Sequence, residues 1–188
     1  MEFLEAWQTI EYRIDRRGLL NFVSDSWTTF ALENSSPDLI AERVVGQALS
    51  SFIADPETRH LYQTILDRVR STEVRVVLTL RCDSPSLRRF LQLVISRLPD
   101  GEIQFLSHTL RTEPRESVPL LDPSTTRSNE FLSLCSWCKR IRLPGDRWVE
   151  VEEAVAKLEL FCLDALPKLT HGICPACHEK VIHEMVAE

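Results

Sequence analysis

Apolar and polar positions alternate in two distinct rhythms along this chain. Ile10, Tyr12 and Ile14 are separated by polar residues, the period of two expected of a half-buried strand. Asp15-Arg16-Arg17-Gly18 then supplies a turn and residues 19–23 a second strand, which predicts a hairpin. Ahead of it, Phe3, Leu4, Trp7 and Ile10 fall at helical spacing and predict a short amphipathic helix over residues 1–9. Trp27, Phe30 and Ala31 mark one face of a helix over residues 25–34, and residues 46–52 read as a short turn-rich element. The clearest helix starts at Asp55-Pro56-Glu57. Asp55 can cap the free amides, Pro56 suits the first turn and Glu57 complements the dipole. Leu61, Ile65, Leu66 and Val69 make its buried face. Three strand-like runs follow at 74–81, 87–98 and 103–111, the last two joined by the hairpin signal Asp100-Gly101.

The rhythm breaks between residues 113 and 129. Pro114, Pro119 and Pro123 stand there among Ser117, Ser124, Thr125, Thr126 and Ser128, which predicts an extended linker. The composition changes across it: all 15 basic residues up to Ser128 are arginines, whereas Lys139, Lys157, Lys168 and Lys180 lie beyond. The expected organisation is a helix at 1–9, a sheet domain at 10–112, the linker at 113–129 and a second unit at 130–188. In fold class this is α+β, a five-stranded antiparallel sheet with helices on one face plus a small C-terminal module.

The element order and several residues of the first region resemble a PAS domain. Tyr12-Arg13-Ile14-Asp15 with Gly18 and Phe22-Val23-Ser24 looks like the family's opening hairpin. Trp27 and Phe30 match aromatic positions of the next helix, and Gly46, Leu49 and Phe52 match the turn before the long helix. The resemblance implies a sensor or dimerisation domain, with a small molecule bound between the sheet and the long helix. Among haem-binding sensors of that fold, a histidine on this helix serves as ligand. His60 is therefore carried as a haem candidate, beside the plainer reading of a surface or capping residue.

Four cysteines supply the strongest chemical signal. Cys135-Ser-Trp-Cys138 and Cys174-Pro-Ala-Cys177 each place two sulfurs within reach of one ion from a tight turn. Together they offer four soft ligands, which suits one tetrahedral zinc ion per chain. The same thiolates would also fit an iron–sulfur cluster. A unit of about 55 residues has a thin core, so the metal is expected to supply much of its folding free energy. The 35 residues between the pairs can hold a small hairpin, carrying Trp148 and Val149, and a helix. That helix would set Val151, Ala154, Val155, Leu158 and Phe161 over the site. His171, three residues before Cys174, is an alternate or supporting ligand, and Cys162 is expected as a buried small residue. A redox role for one pair calls for a strand–helix context, which the sequence does not suggest. Cys135-Ser-Trp-Cys138-Lys-Arg-Ile-Arg with Gly145, Trp148, Glu150 and His171-Gly-Ile-Cys-Pro-Ala-Cys177 resembles the cysteine-rich C-terminal segment of many bacterial sensors.

Charge and the remaining motifs narrow the function classes. The 188 residues carry 22 basic and 28 acidic side chains, net −6, and residues 130–188 carry 7 and 10. Lys139, Arg140 and Arg142 form a basic cluster near the cysteines, yet this balance argues against nucleic acid as the partner. With 44% hydrophobic and 27% charged residues the chain is ordinary globular protein, and no apolar run reaches membrane-spanning length. The first residues lack a signal-peptide pattern, so the expected location is cytoplasmic, where thiols stay reduced. No phosphate-binding loop, nucleophile elbow or His-Glu-x-x-His motif occurs, and no catalytic residue is expected. The sequence thus predicts a non-enzymatic signalling protein that acts through a protein partner and as a homodimer, without membrane. Alternatives are a thiol and zinc redox sensor, a haem-based sensor and a nucleic-acid-binding regulator.

Overall fold

The computed structural model describes residues 9–186. The helix expected over residues 1–9 lies outside the described residues, except that Thr9 and Ile10 open a strand. Strand β1 (Thr9–Ile14) turns back into β2 (Leu20–Val23), and the Asp15 carboxylate accepts the N–H groups of Arg17 and Leu19 at 2.8 and 2.9 Å to fix the turn. Helix α1 (Asp25–Glu33) follows, then a 3-10 turn at Pro37–Leu39, the short helix α2 (Ala41–Val44) and a second 3-10 turn at Leu49–Phe52. The long helix α3 spans Pro56–Thr72, and Asp55 caps it by accepting the Thr58 N–H at 2.7 Å.

Strands β3 (Val76–Arg81), β4 (Leu87–Arg97) and β5 (Ile103–Pro114) complete a five-stranded antiparallel sheet in the order β2-β1-β5-β4-β3. Gly101 in the β4–β5 turn has φ +88°, and the Arg16 guanidinium lies so close that a Cβ there would meet its Nε at 2.6 Å. The register of β4 on β5 slips where Leu110 stands without a partner between Thr109 and Arg111. Leu61, Ile65, Leu66 and Val69 of α3 bury against Leu78, Leu93, Ile95, Ile103 and Phe105, so period-3.6 and period-2 faces meet in one core.

The remaining elements form a second sheet. Strands β6 (Arg127–Cys135), β7 (Ile141–Leu143), β8 (Arg147–Val149) and β9 (Leu166–Gly172) lie in the order β8-β7-β6-β9, with β9 parallel to β6. Helix α4 (Val151–Lys157) and a 3-10 turn at Leu160–Cys162 connect β8 to β9, and helix α5 (Pro175–Val186) follows. Leu134, Ile141, Leu143, Val151, Ala154, Leu160 and Leu166 form a second core.

Two expectations are corrected here. The stretch 113–129 is not an extended linker: β5 runs through Pro114, which pairs with Leu87, and β6 begins at Arg127. Between them Val118 and Leu120 are buried in the second core, because the apolar run Val118-Pro119-Leu120-Leu121 outweighs its prolines. The helix expected to carry Phe161 and Cys162 ends at Lys157, since Glu159 turns left-handed at φ 51°. Phe161 is 70% exposed, Cys162 is exposed rather than buried, and α4 faces the second core instead of covering the cysteines.

The two sheets are joined along β3. The Arg81 N–H donates to the Trp137 carbonyl at 2.7 Å, which satisfies the last amide of this edge strand. Helix α5 packs on the same strand, where Thr79 bonds Glu184 at 3.2 Å and also meets Lys180. Trp137, Ile173, Val181 and Met185 are buried in the first core beside the α3 and sheet residues. At about 1.5–3 kcal/mol for each large apolar side chain buried, this seam holds the halves together more strongly than surface contacts would.

Candidate metal centre and the adjoining cavity

Parallel pairing of β6 with β9 brings the two cysteine pairs side by side. Cys135 ends β6 opposite Gly172, two residues before Cys174, and the Ser136 N–H donates to the Gly172 carbonyl at 2.8 Å. The first pair sits on a tight turn closed by Lys139 N–H to Cys135 O at 3.0 Å and Cys135 N–H to Arg140 O at 2.8 Å. Lys139 takes φ +61° to complete that turn. The second pair straddles the start of α5, with the His178 N–H bonded to the Cys174 carbonyl at 3.0 Å.

All four sulfurs lie within 4.8 Å of one another. Cys138 and Cys174 are 3.8 Å apart, and a tetrahedron with Zn–S bonds of about 2.3 Å requires about 3.8 Å. Cys135 and Cys174 are buried, while Cys138 and Cys177 are half-buried. The Cys174 N–H points at the Cys135 sulfur at 3.4 Å, the contact that stabilises a thiolate. Hydrogen bonds from Cys138 and Cys177 drive the Cys135 thiol far below its ordinary value. In return, hydrogen bonding with Cys135 pushes Cys138 up to about 12 and Cys177 higher still. Protein groups alone therefore favour one thiolate among the three, whereas a divalent cation stabilises all four. The donor set fits a metal ion such as zinc.

Around the centre lies a charge network that sequence reasoning missed. Asp83, 1% exposed, accepts from Arg81 at 2.5 Å and from Arg115 at 3.3 Å. Arg81 also pairs with Glu150 at 2.7 Å, Arg115 and Arg88 meet Glu152 at 3.2 and 2.8 Å, and Arg140 reaches Glu150 at 3.2 Å. Burial alone would raise Glu150, but hydrogen bonds and charge from Arg81 and Arg140 hold it below the ordinary carboxylate value. Only Arg81 and Asp83 are near neighbours; the other pairs lie 10 to 69 positions apart and carry no motif. The same contacts explain the basic cluster: Arg140 pairs with Glu150, Arg142 with Asp146, and Lys139 donates to the Ser136 carbonyl at 2.7 Å.

The other anticipated residues are placed differently. His171 sits on β9 opposite Leu134, exposed and outside the four-sulfur group. His60 does not face the sheet, which corrects the haem geometry. It is exposed, and it lines a shallow groove with Glu57, Ile173 and His178 because it lies on the opposite side of α3 from Leu61 and Ile65. The strand–helix context judged missing around the cysteines is present at Cys174-Pro-Ala-Cys177, between β9 and α5.

A cavity of about 710 Å³ opens between the first sheet and α1, with Tyr62 of α3 in its wall. Tyr12, Trp27, Phe30, Leu80, Leu91 and Leu93 form apolar walls. Tyr12 stacks on Phe105 at 4.4 Å and meets Trp27 edge-on at 5.1 Å. Tyr62 touches Trp137 at 5.5 Å, so one side chain separates the cavity from the first cysteine turn. Burial pushes the Tyr62 phenol up to about 12, and the Tyr12 phenol is raised as well. Cys82 lies just after β3 and faces this cavity.

No protein-family model, curated protein sequence or solved structure matches this chain. Among the described residues no helix is long and apolar enough to cross a membrane.

Proposed function

We propose that this protein is a non-enzymatic regulator in which a PAS-like domain responds to a small molecule and a structural zinc centre presents the response to a protein partner. The observation that carries this reading is the dual use of strand β3. Leu80 and Cys82 line the cavity, while Arg81 between them bonds Trp137 and Glu150 beside the cysteine turn. A shift of this strand on ligand binding would therefore act on both sites at once. The strand order β2-β1-β5-β4-β3 and the cavity beneath α1 support the PAS-like assignment. The sulfur spacing supports zinc over a purely thiol site.

The experiment fills the cavity and reads the metal. Ser107→Leu adds bulk to the cavity wall, and zinc release to a chelator is timed in the variant and in the parent chain. Hydrogen exchange at the Arg81 amide is followed in parallel. The proposal expects both rates to change; unaltered rates with a demonstrably filled cavity would refute it. A second reading is favoured by the placement of Cys174 and Cys177 at the start of α5 with half-buried Cys138 and Cys177 sulfurs. In it, peroxide oxidises the thiolates and the metal leaves. Retention of zinc under peroxide that oxidises exposed Cys162 would exclude it.

A further inference from the structure

The chemistry lining the cavity specifies what it takes, an inference that rests on the small-molecule reading above. Its walls are mainly apolar, but one cation stands among them without a counter-charge. Arg89 lines the cavity half-buried and has no ion pair or side-chain hydrogen bond among the described residues. Its guanidinium lies over the Phe30 ring at 5.3 Å, which orients the group without neutralising it. The other arginine at the cavity, Arg111, is committed to Glu113 at 3.2 Å and to the Phe90 ring at 3.9 Å. Arg81 and Arg115, with side chains 11% and 6% exposed, both have Asp83. A half-buried guanidinium without a counter-charge is costly, and an anion beside it offsets that cost.

The neighbouring polar groups point to the same requirement. Tyr12, Tyr62, Ser107, Thr109 and Cys82 all line the cavity, and each carries a group that can donate to an acceptor-only ligand. Glu33, an exposed side chain on α1, supplies the single carboxylate of the lining. The geometry points to an amphipathic carboxylic acid as the ligand class: a carboxylate paired with Arg89, and an apolar body against Tyr12, Trp27, Leu91 and Leu93. A volume of about 710 Å³ suits a small organic acid rather than a bare inorganic anion.

Titration calorimetry of the full, zinc-loaded chain with 4-phenylbutyrate, its neutral amide and decanoate tests this. The acid should bind about tenfold or more tighter than the amide, the difference expected of a charge-assisted hydrogen bond. Arg89→Gln should remove most of that advantage and leave the amide unchanged, and Arg89→Lys should restore part of it. The phenyl and alkyl acids separate an aromatic metabolite from a fatty acid as the source, and preference for either supports the class. Equal binding of acid and amide to the parent chain would overturn the carboxylate assignment while leaving the cavity a ligand site, even if Arg89→Gln failed to fold. Absence of binding by all three would overturn both.

Discussion

Replacing Trp137 with alanine tests whether the cysteine centre and the first sheet melt as one body. Trp137 is 3% exposed and sits in the first core, against Tyr62, although it belongs to the cysteine turn. Removing a buried tryptophan side chain costs about 3–5 kcal/mol. Part of that is recovered here, because its indole N–H is buried without a partner and its removal relieves about 1 kcal/mol or more. A net loss of about 2–4 kcal/mol is expected, and for a chain of this size it lowers the melting temperature by about 4–16 °C. Trp137→Phe should cost much less, since it keeps most of the packing and discards the unpaired N–H. The assay is thermal unfolding followed by two probes: far-UV circular dichroism for the sheets and a metal indicator for zinc release. Both transitions should fall together in Trp137→Ala. If the circular dichroism transition stays within a degree or two while zinc release moves alone, the shared core does not couple the two halves.

Further outcomes follow from the site. Serine in place of Cys135, Cys138, Cys174 or Cys177 should abolish stoichiometric zinc measured by atomic emission, whereas Cys82→Ser and Cys162→Ser should retain one zinc per chain. Asp83→Asn leaves Arg81 and Arg115 without the carboxylate they share, and should destabilise by about 3–5 kcal/mol in urea unfolding. Glu150 and Glu152 are held below the ordinary carboxylate value of 4.5, so their stabilisation is complete above that pH and is lost as pH falls through their lowered folded-state values. Their contribution should therefore be full and independent of pH between pH 5 and 8, and Glu150→Gln should flatten the acid limb of the pH–stability curve relative to the parent.

Local chemistry made much of this molecule legible in advance. The Asp55 cap, the buried face of α3 and the Asp100-Gly101 turn are each specified within a few residues, and all are found where the periodicity put them. The four cysteines were equally plain, because tight turns carrying paired thiols have few other uses. Long-range features were not legible. Trp137, Val181 and Met185 join the first core across a sequence gap that no periodicity spans. Val118 and Leu120 were masked by flanking prolines, and His60 drew attention by residue type although its helical phase turns it outward. Beyond the neighbouring Arg81–Asp83 pair, the network fell outside sequence reasoning, since charges at distant positions reveal no pairing until the backbone is placed.

The packing of α5 on edge strand β3 also bears on how the chain is assembled during synthesis. Thr79 and its α5 partner Glu184 are 105 positions apart, so a ribosome completes β3 long before the helix that shields it exists. At translation rates of about 5–20 residues per second, that strand edge waits for about 5–20 seconds with its amides free to pair with another nascent chain. A metal ion held by the four cysteines would be captured as α5 is delivered, so metal supply would set how quickly this hazard closes.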